Sequence, residues 1–272
     1  MDKMKVRIYD NQFGHASTCN DMPSKYIEWH RNGKNTPTCF FTGRSFGIAK
    51  NEECKTKVGW LLEPKGIDAK RYNKSWIDDF DYILSFDREY ISLNPEKILF
   101  YPFGCCWIPE KDRGIHPKSK LVSMVCSGKT YSKGHKFRNR IYDKFESKFD
   151  GYGRYKNPIE NKADALKDYM FSICVQNTKC DDYFTEIIMD CFMTGTVPIY
   201  WGTDNICKYF NSLGIIPFNS VTELDNILDN LPGKHLGCHN DAIKENYEKA
   251  QKYFSPEDYI FEHYPFLFEG MK

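Results

Sequence analysis

Residues 169–202 hold the densest set of side chains in the chain that could do chemistry. An apolar run from Tyr169 to Val175 ends in Gln176 and Asn177, a polar loop follows, and a helical pattern begins around Asp182 to Thr185. A strand, loop and helix in this order aim free backbone N–H groups and a partial positive charge at the edge of a sheet. Such a helix start suits a phosphate or diphosphate. Glu186 falls in the first helical turn, where its simplest reading is a charge that complements the helix dipole. Asn177 could close the turn and Tyr183 could be packing, so spacing alone leaves these roles open.

Other clusters are weaker. Lys129, Lys133, Lys136, Arg138 and Arg140, with His135, form a basic stretch. It reads either as a solvated helix face or as a binding surface for phosphate, and an anionic acceptor would also suit it. Ser127-Gly128-Lys129-Thr130 echoes a nucleotide-binding P-loop, but the glycine required five positions before Gly128 is Ser123, which excludes that class. Asp79 with Asp81, and Asp181 with Asp182, resemble metal-binding carboxylates, yet each has a plainer role at a strand or helix start. The histidines lack the spacing of a metal site, and no metal ligand is assigned. Trp29, Trp60 and Trp107 are candidates for the core or for sugar-stacking platforms. Glu63 reads by itself as a charge at a strand end, followed by Pro64.

These residues need a scaffold. Short strand-like runs occur at Val6 to Tyr9, Cys39 to Thr42, Val58 to Leu62, Tyr82 to Ser85 and Ile98 to Tyr101, with a helix expected from Asp68 to Phe80. A Pro- and Gly-rich connection spans Tyr101 to Lys120, which places a domain boundary near residue 115. The pattern then restarts with strands at Leu121 to Cys126, Tyr169 to Val175, Thr196 to Trp201 and Ile215 to Phe218. Helices are expected at about Lys136 to Phe149, Thr185 to Met193, Val221 to Leu231 and His239 to Tyr253, with Gly195 ending the second of these. Strands alternating with helices imply α/β domains with parallel sheets. The expectation is two Rossmann-like halves, 1–115 and 116–272, facing a cleft, with a ligand at the carboxyl ends of strands in the second half.

Composition removes several classes. Thirty-eight Lys and Arg against 37 Asp and Glu leave a formal charge of +1, which disfavours nucleic acid as a partner. No run approaches a membrane span and the start carries no apolar export signal, so the expected location is cytoplasmic. Eleven scattered cysteines without a C-x-x-C pair read as mostly buried, reduced thiols.

The dense segment resembles the donor-binding motif of the α1,3/4-fucosyltransferases, which reads E-N, four or five residues, Y-x-T-E-K, and then G-T-x-P-(I/V)-Y-W-G. Asn177, Tyr183, Thr185, Glu186 and the run Gly195 to Gly202 match it in order and spacing. Arg138-Asn139 with Tyr142-Asp143 is similar to that family's R-N-x-x-Y-D, and Gly151 to Tyr155 to its Gly-rich turn. In the first half, Trp60 to Glu63 followed by Phe80-Asp81-Tyr82 resembles the segment that carries the family's catalytic carboxylate. The resemblance implies a GT-B fold and an inverting transfer from a nucleotide-diphosphate sugar, GDP-fucose above all, to a hydroxyl of a glycan acceptor. It implies Glu63 as general base and Arg138 as the charge that neutralises the departing diphosphate. Glu186 would bond the sugar or ribose, and Asn177 and Tyr183 would line the nucleotide pocket. No cofactor would be obligatory, although a divalent metal could stimulate.

Two positions depart from the pattern. The family's lysine after the motif glutamate is Ile187, and its leading glutamate is Gln176. Lys179 or Arg154 could supply the missing cation, or the donor could differ. The alternative is a non-catalytic carbohydrate- or nucleotide-binding protein on a decayed transferase scaffold.

Overall fold

A computed structural model of the chain describes residues 2–10, 24–32, 36–102, 104–231 and 240–271. Its contacts divide the chain into two units. The first comprises Met1–Cys105, Asp181–Tyr183 and Ser255–Lys272; the second comprises Cys106–Cys180 and Phe184–Phe254. The division after Cys105 comes earlier than the expected boundary near 115, and the C-terminal residues count with the first unit rather than the second.

The first unit is built on a six-stranded sheet of β1 (Met4–Tyr9), β2 (Ile27–His30), β3 (Thr38–Thr42), β4 (Thr56–Trp60), β5 (Tyr82–Ser85) and β6 (Ile98–Phe100). The strand order is β2-β1-β3-β4-β5-β6, and every neighbouring pair is parallel. Every residue of β3 is buried, as the apolar run Cys39-Phe40-Phe41 requires of a strand covered on both faces. The second unit holds β7 (Lys120–Val125), β8 (Asp150–Tyr152), β9 (Tyr169–Val175), β10 (Val197–Trp201) and β11 (Ile216–Pro217). Its order is β11-β10-β9-β7-β8, again all parallel. Central β9 places Ile173 between Met124 of β7 and Ile199 of β10. The helices are α1 (Arg88–Ile91), α2 (Lys133–Phe145), α3 (Glu186–Phe192), α4 (Val221–Asn230), α5 (Asn240–Ala250) and α6 (Pro256–His263).

Local chemistry explains several boundaries. α3 starts at Thr185, whose side chain accepts from the backbone N–H of Ile187. It stops through two bonds around a left-handed glycine: Thr196 N–H donates to Cys191 C=O at 2.9 Å and Gly195 N–H to Phe192 C=O at 3.2 Å. Gly195 has φ of +66°, and a Cβ there would sit 2.9 Å from the Ile115 backbone. α2 starts earlier than expected because Ser132 caps it, accepting from His135 N–H at 3.1 Å.

Other expectations are corrected. Asp68 to Phe80 is no α-helix but two short 3-10 turns, Ala69–Tyr72 and Lys74–Trp76. Asn73 separates them with an extended backbone and caps the second turn by accepting from Ser75 N–H at 2.9 Å. The stretch resembling a Gly-rich turn begins as strand β8. Cys39 and Cys54 form a disulfide, so the expectation of reduced thiols fails there, while Cys106, Cys126, Cys174, Cys191 and Cys207 are free. His239, the expected first residue of α5, lies outside the described residues.

The C-terminal segment is tied to the first sheet by buried polar bonds. Ser24 Oγ and Lys25 N–H donate to Asp258 at 2.6 and 2.9 Å, and Thr38 Oγ1 donates to Leu267 C=O at 2.6 Å. Trp29 donates from Nε1 to Glu257 at 2.9 Å and packs against Phe40 and buried Trp60. These contacts place Trp60 in the core, with the half-buried Trp29 packed against it. No helix among the described residues is long and apolar enough to cross a membrane.

Candidate functional site

Within the second unit, a cavity of about 610 Å³ opens where β7, β8 and β9 end. Its wall comes from the segments that follow those strands and from the starts of α2 and α3. Ser127 and Lys129 follow β7, Arg154 follows β8, and Asn177 follows β9. Carboxyl ends of parallel strands and helix starts converge here, which is the arrangement that favours an anionic ligand.

The first wall is the junction of α2 with the end of β9. Gly134 N–H donates to Asn177 C=O at 3.0 Å, and Ser132 Oγ donates to the same oxygen at 2.5 Å. A Cβ on Gly134 would stand 2.0 Å from Gln176 C=O, so only glycine allows this approach. Two turns of contact then converge on Asn177. Arg138 is buried; Nε donates to Val175 C=O at 2.9 Å, Nη2 also reaches that oxygen, and Nη2 donates to Asn177 Oδ1 at 3.0 Å. Because arginine only donates, this bond fixes Asn177 with its amide nitrogen as the remaining donor group. Arg138 therefore acts as a fixed positive charge in the cavity wall.

His135 lies in the same wall, with Nδ1 2.5 Å from Ser132 Oγ. The Ser132 hydroxyl has one proton, which goes to Asn177 C=O, so the proton of neutral His135 sits on Nδ1. Burial first, then the charges of Arg138 and Lys129, push the His135 pKa down to about 4. The ring is neutral near pH 7.

The second wall is the start of α3. Glu186 and Ile187 both line the cavity. Gln176 is completely buried, and its Oε1 accepts from Thr185 Oγ1 at 2.9 Å. A neutral amide keeps this bond to the cap without burying a charge, which accounts for Gln176 in place of an acid. One turn after Glu186, Asp190 is fully buried and takes two partners. It accepts from Trp107 N–H at 2.7 Å, and its Oδ2 lies 2.6 Å from Lys162 Nζ. Burial opposes the charge on Lys162, but the Asp190 and Glu186 carboxylates outweigh it and raise the pKa. Lys162 and Trp107 line the cavity too.

Arg138, Asn177 and Glu186, singled out in the sequence, are thus brought to one cavity. Tyr183 is not among its lining residues. Tyr183 counts with the first unit, where it is buried with its ring 5.0 Å from Phe86. Glu63 also belongs to the first unit, at the turn after β4, and its C=O accepts from Tyr72 Oη at 2.9 Å. Of the two cations considered for the place of Ile187, Arg154 lines the cavity. Lys179 is engaged elsewhere, by Asp204 and by Asn219 Oδ1 at 2.7 Å. Asp182 is paired with Arg88 at 2.7 Å, and Asp81 accepts from Lys57 N–H at 2.7 Å, so these two acids serve local structure. Among the described residues, no group of three or more His, Cys, Asp or Glu could hold a metal ion.

Lys162 was not foreseen. One signal was present: Asp190 interrupts the apolar stripe of α3, and an acid buried on such a helix requires a cation from elsewhere.

Comparison with known proteins agrees with this geometry. Residues 115–262 match the family model for glycosyltransferase family 10 (fucosyltransferase), C-terminal part. An alpha-(1,3)-fucosyltransferase of Helicobacter pylori is 29% identical over 136 residues, 47% of this chain and 28% of that protein. A GDP-fucose protein O-fucosyltransferase 3 of Rattus norvegicus is 38% identical over 61 residues, 21% of this chain and 13% of that protein. The matches therefore span well under half the length of these relatives. Among solved structures, an alpha1,3-fucosyltransferase has a TM-score of 0.60 at 20% identity, covering 96% of this chain and 90% of that one. The structure of such an enzyme with GDP-fucose has a TM-score of 0.59 at 19% identity, covering 98% and 91%. These likenesses agree with the α/β fold of GT-B type expected from the sequence. The chain belongs to glycosyltransferase family 10, the fucosyltransferases.

Proposed function

We propose that the chain transfers fucose from GDP-fucose to a hydroxyl of a glycan acceptor, with inversion at the anomeric carbon. The observation that carries this reading is the gathering of Arg138, Asn177 and Glu186 on one cavity, inside the stretch matched by the family model. The cavity takes the nucleoside diphosphate. Arg138 and the starts of α2 and α3 face its phosphates with positive potential, which offsets the charge that develops as GDP leaves. Asn177 donates its amide to the nucleotide, and Glu186 accepts from a ribose or sugar hydroxyl. Arg154, on the cavity wall, contributes the cation that Ile187 does not. A nucleotide-binding role for Tyr183 rests on the motif resemblance alone.

Glu63 is the general base. As the acceptor oxygen attacks the anomeric carbon, its proton passes to the Glu63 carboxylate, and the bond from that carbon to the β-phosphate oxygen breaks with its electron pair leaving on GDP. The acceptor proton becomes acidic only as the new bond forms, so a carboxylate is basic enough. The oxocarbenium character of the transition state gains from a nearby anion. No metal enters these steps, and a divalent cation at most stimulates. A cytoplasmic location belongs to the same reading; the Cys39–Cys54 disulfide weighs against it, and fractionating cells tests it.

The test is release of GDP from GDP-fucose in the presence of glycan acceptors, with the product linkage read by NMR. Glu63→Gln should lose about 10²–10⁴-fold in turnover and keep wild-type affinity for GDP. Unchanged turnover in that variant removes Glu63 from the mechanism. A wild-type chain that binds GDP-fucose but transfers nothing to any hydroxyl supports the decayed-scaffold alternative.

A further inference from the structure

The three tryptophans noted in the sequence separate clearly in the structure. Trp60 is buried and Trp29 is bonded into the first unit, whereas Trp107 remains 47% exposed. Trp107 lines the cavity of the second unit beside Glu186 and Ile187. A large aromatic left half in solvent forgoes much of the gain from burial, so its rigid support calls for a reason. Its backbone N–H is held by the fully buried carboxylate of Asp190 at 2.7 Å. Its ring carries the Lys162 ammonium 5.5 Å from the ring centre, and that ammonium is itself anchored to Asp190 at 2.6 Å. One carboxylate therefore fixes both the backbone of the tryptophan and the cation against its ring.

We infer that Trp107 is the stacking wall for the nucleobase of the bound nucleoside diphosphate. This rests on the donor reading above and extends it to a residue that no motif identifies. The choice of base over sugar follows from the cation. Sugar C–H groups stack on an aromatic face because that face is electron-rich, and an ammonium against the ring draws density from it. The same polarisation strengthens stacking with an electron-rich planar partner, and guanine is the most electron-rich of the common bases. A tryptophan whose backbone is held by Asp190 and whose ring already carries Lys162 also loses little freedom when a base stacks on it.

The test uses the full chain and three probes: GDP, GDP-fucose and inorganic pyrophosphate. Affinities are measured by calorimetry for wild type, Trp107→Ala and Trp107→Phe, with melting temperatures to confirm folding. Trp107→Ala should weaken GDP about 10-fold or more and leave pyrophosphate unchanged, while Trp107→Phe retains most of the GDP affinity. GDP should also quench tryptophan emission in wild type more than in Trp107→Phe. Equal GDP affinity in wild type and Trp107→Ala overturns the inference while leaving the donor reading intact. Loss of GDP-fucose affinity without loss of GDP affinity assigns the ring to the sugar and also overturns it. If wild type binds none of the probes, the donor reading itself fails, and the inference with it.

Discussion

Replacing Gly134 by alanine tests the junction on which the candidate site is built. The new Cβ would lie 2.0 Å from the Gln176 carbonyl oxygen, 2.5 Å from that of Asn177 and 2.6 Å from the Asn177 carbonyl carbon. All three are backbone atoms at the end of a central strand, so no side chain can swing aside. Restoring an ordinary contact requires the first turn of α2 to move by roughly 1 Å. That movement breaks the Gly134 N–H and Ser132 Oγ bonds to Asn177, at 3.0 and 2.5 Å. Overpacking costs about 1–3 kcal/mol and each lost bond about 1 kcal/mol, giving about 3–5 kcal/mol in all. For domains of this size, the melting temperature should fall by on the order of 10 °C. Arg138 and Asn177 move with the junction, so GDP affinity should fall as well. Gly47, whose Cβ would meet nothing within 4 Å, is the control, and Gly47→Ala should stay within about 1 kcal/mol of wild type. A Gly134→Ala protein that melts within about 2 °C of wild type and binds GDP equally would refute the reasoning.

Three further outcomes are expected. His135 is neutral in the folded chain, with its pKa lowered from 6.5 to about 4, so unfolding takes up a proton as pH falls through that interval. Its part of the stability is complete above pH 6.5, declines toward pH 4 and is level below; melting curves of wild type against His135→Gln across this range should differ in slope, and parallel curves would count against it. Asp190→Ala leaves the Lys162 cation buried without its carboxylate and should cost about 3–5 kcal/mol by denaturant unfolding; the paired change Lys162→Met with Asp190→Leu should cost much less. Trp29→Phe removes the donor to buried Glu257 and should cost about 1–3 kcal/mol while GDP affinity in the second unit is unchanged, as calorimetry would show.

Much of the scaffold was legible because buried parallel strands are continuous apolar runs. Tyr169 to Val175 stands in the structure with the limits read from the sequence, and Thr185 and Gly195 marked the two ends of α3. β2 was missed because Ile27-Glu28-Trp29-His30 is a four-residue edge strand in which only Ile27 is fully buried, too little for an apolar run. β8 has only three residues, two of them Asp150 and Gly151, which resemble a turn. α6 should have been read: Ser255-Pro256-Glu257-Asp258 carries a cap, a proline in the first turn and two acids. At the site, the strand–loop–helix pattern singles out Asn177 and Glu186 without fixing their roles, which, like that of Arg138, come from a resemblance. The Lys162–Asp190–Trp107 cluster joins residues far apart in sequence, and local patterning cannot bring them together. The error at 68–80 has a similar cause, since the pattern there is helical and Asn73 interrupts it.

The central claim is that the cavity lined by Arg138, Asn177 and Glu186 holds GDP. Calorimetric titration of the full chain with GDP, ADP, UDP and CDP tests it most directly. The account predicts saturable one-to-one binding of GDP, with each other nucleotide about 10-fold weaker or more, a difference of roughly 1.4 kcal/mol. Equal affinity for all four, or no binding of any, would contradict it.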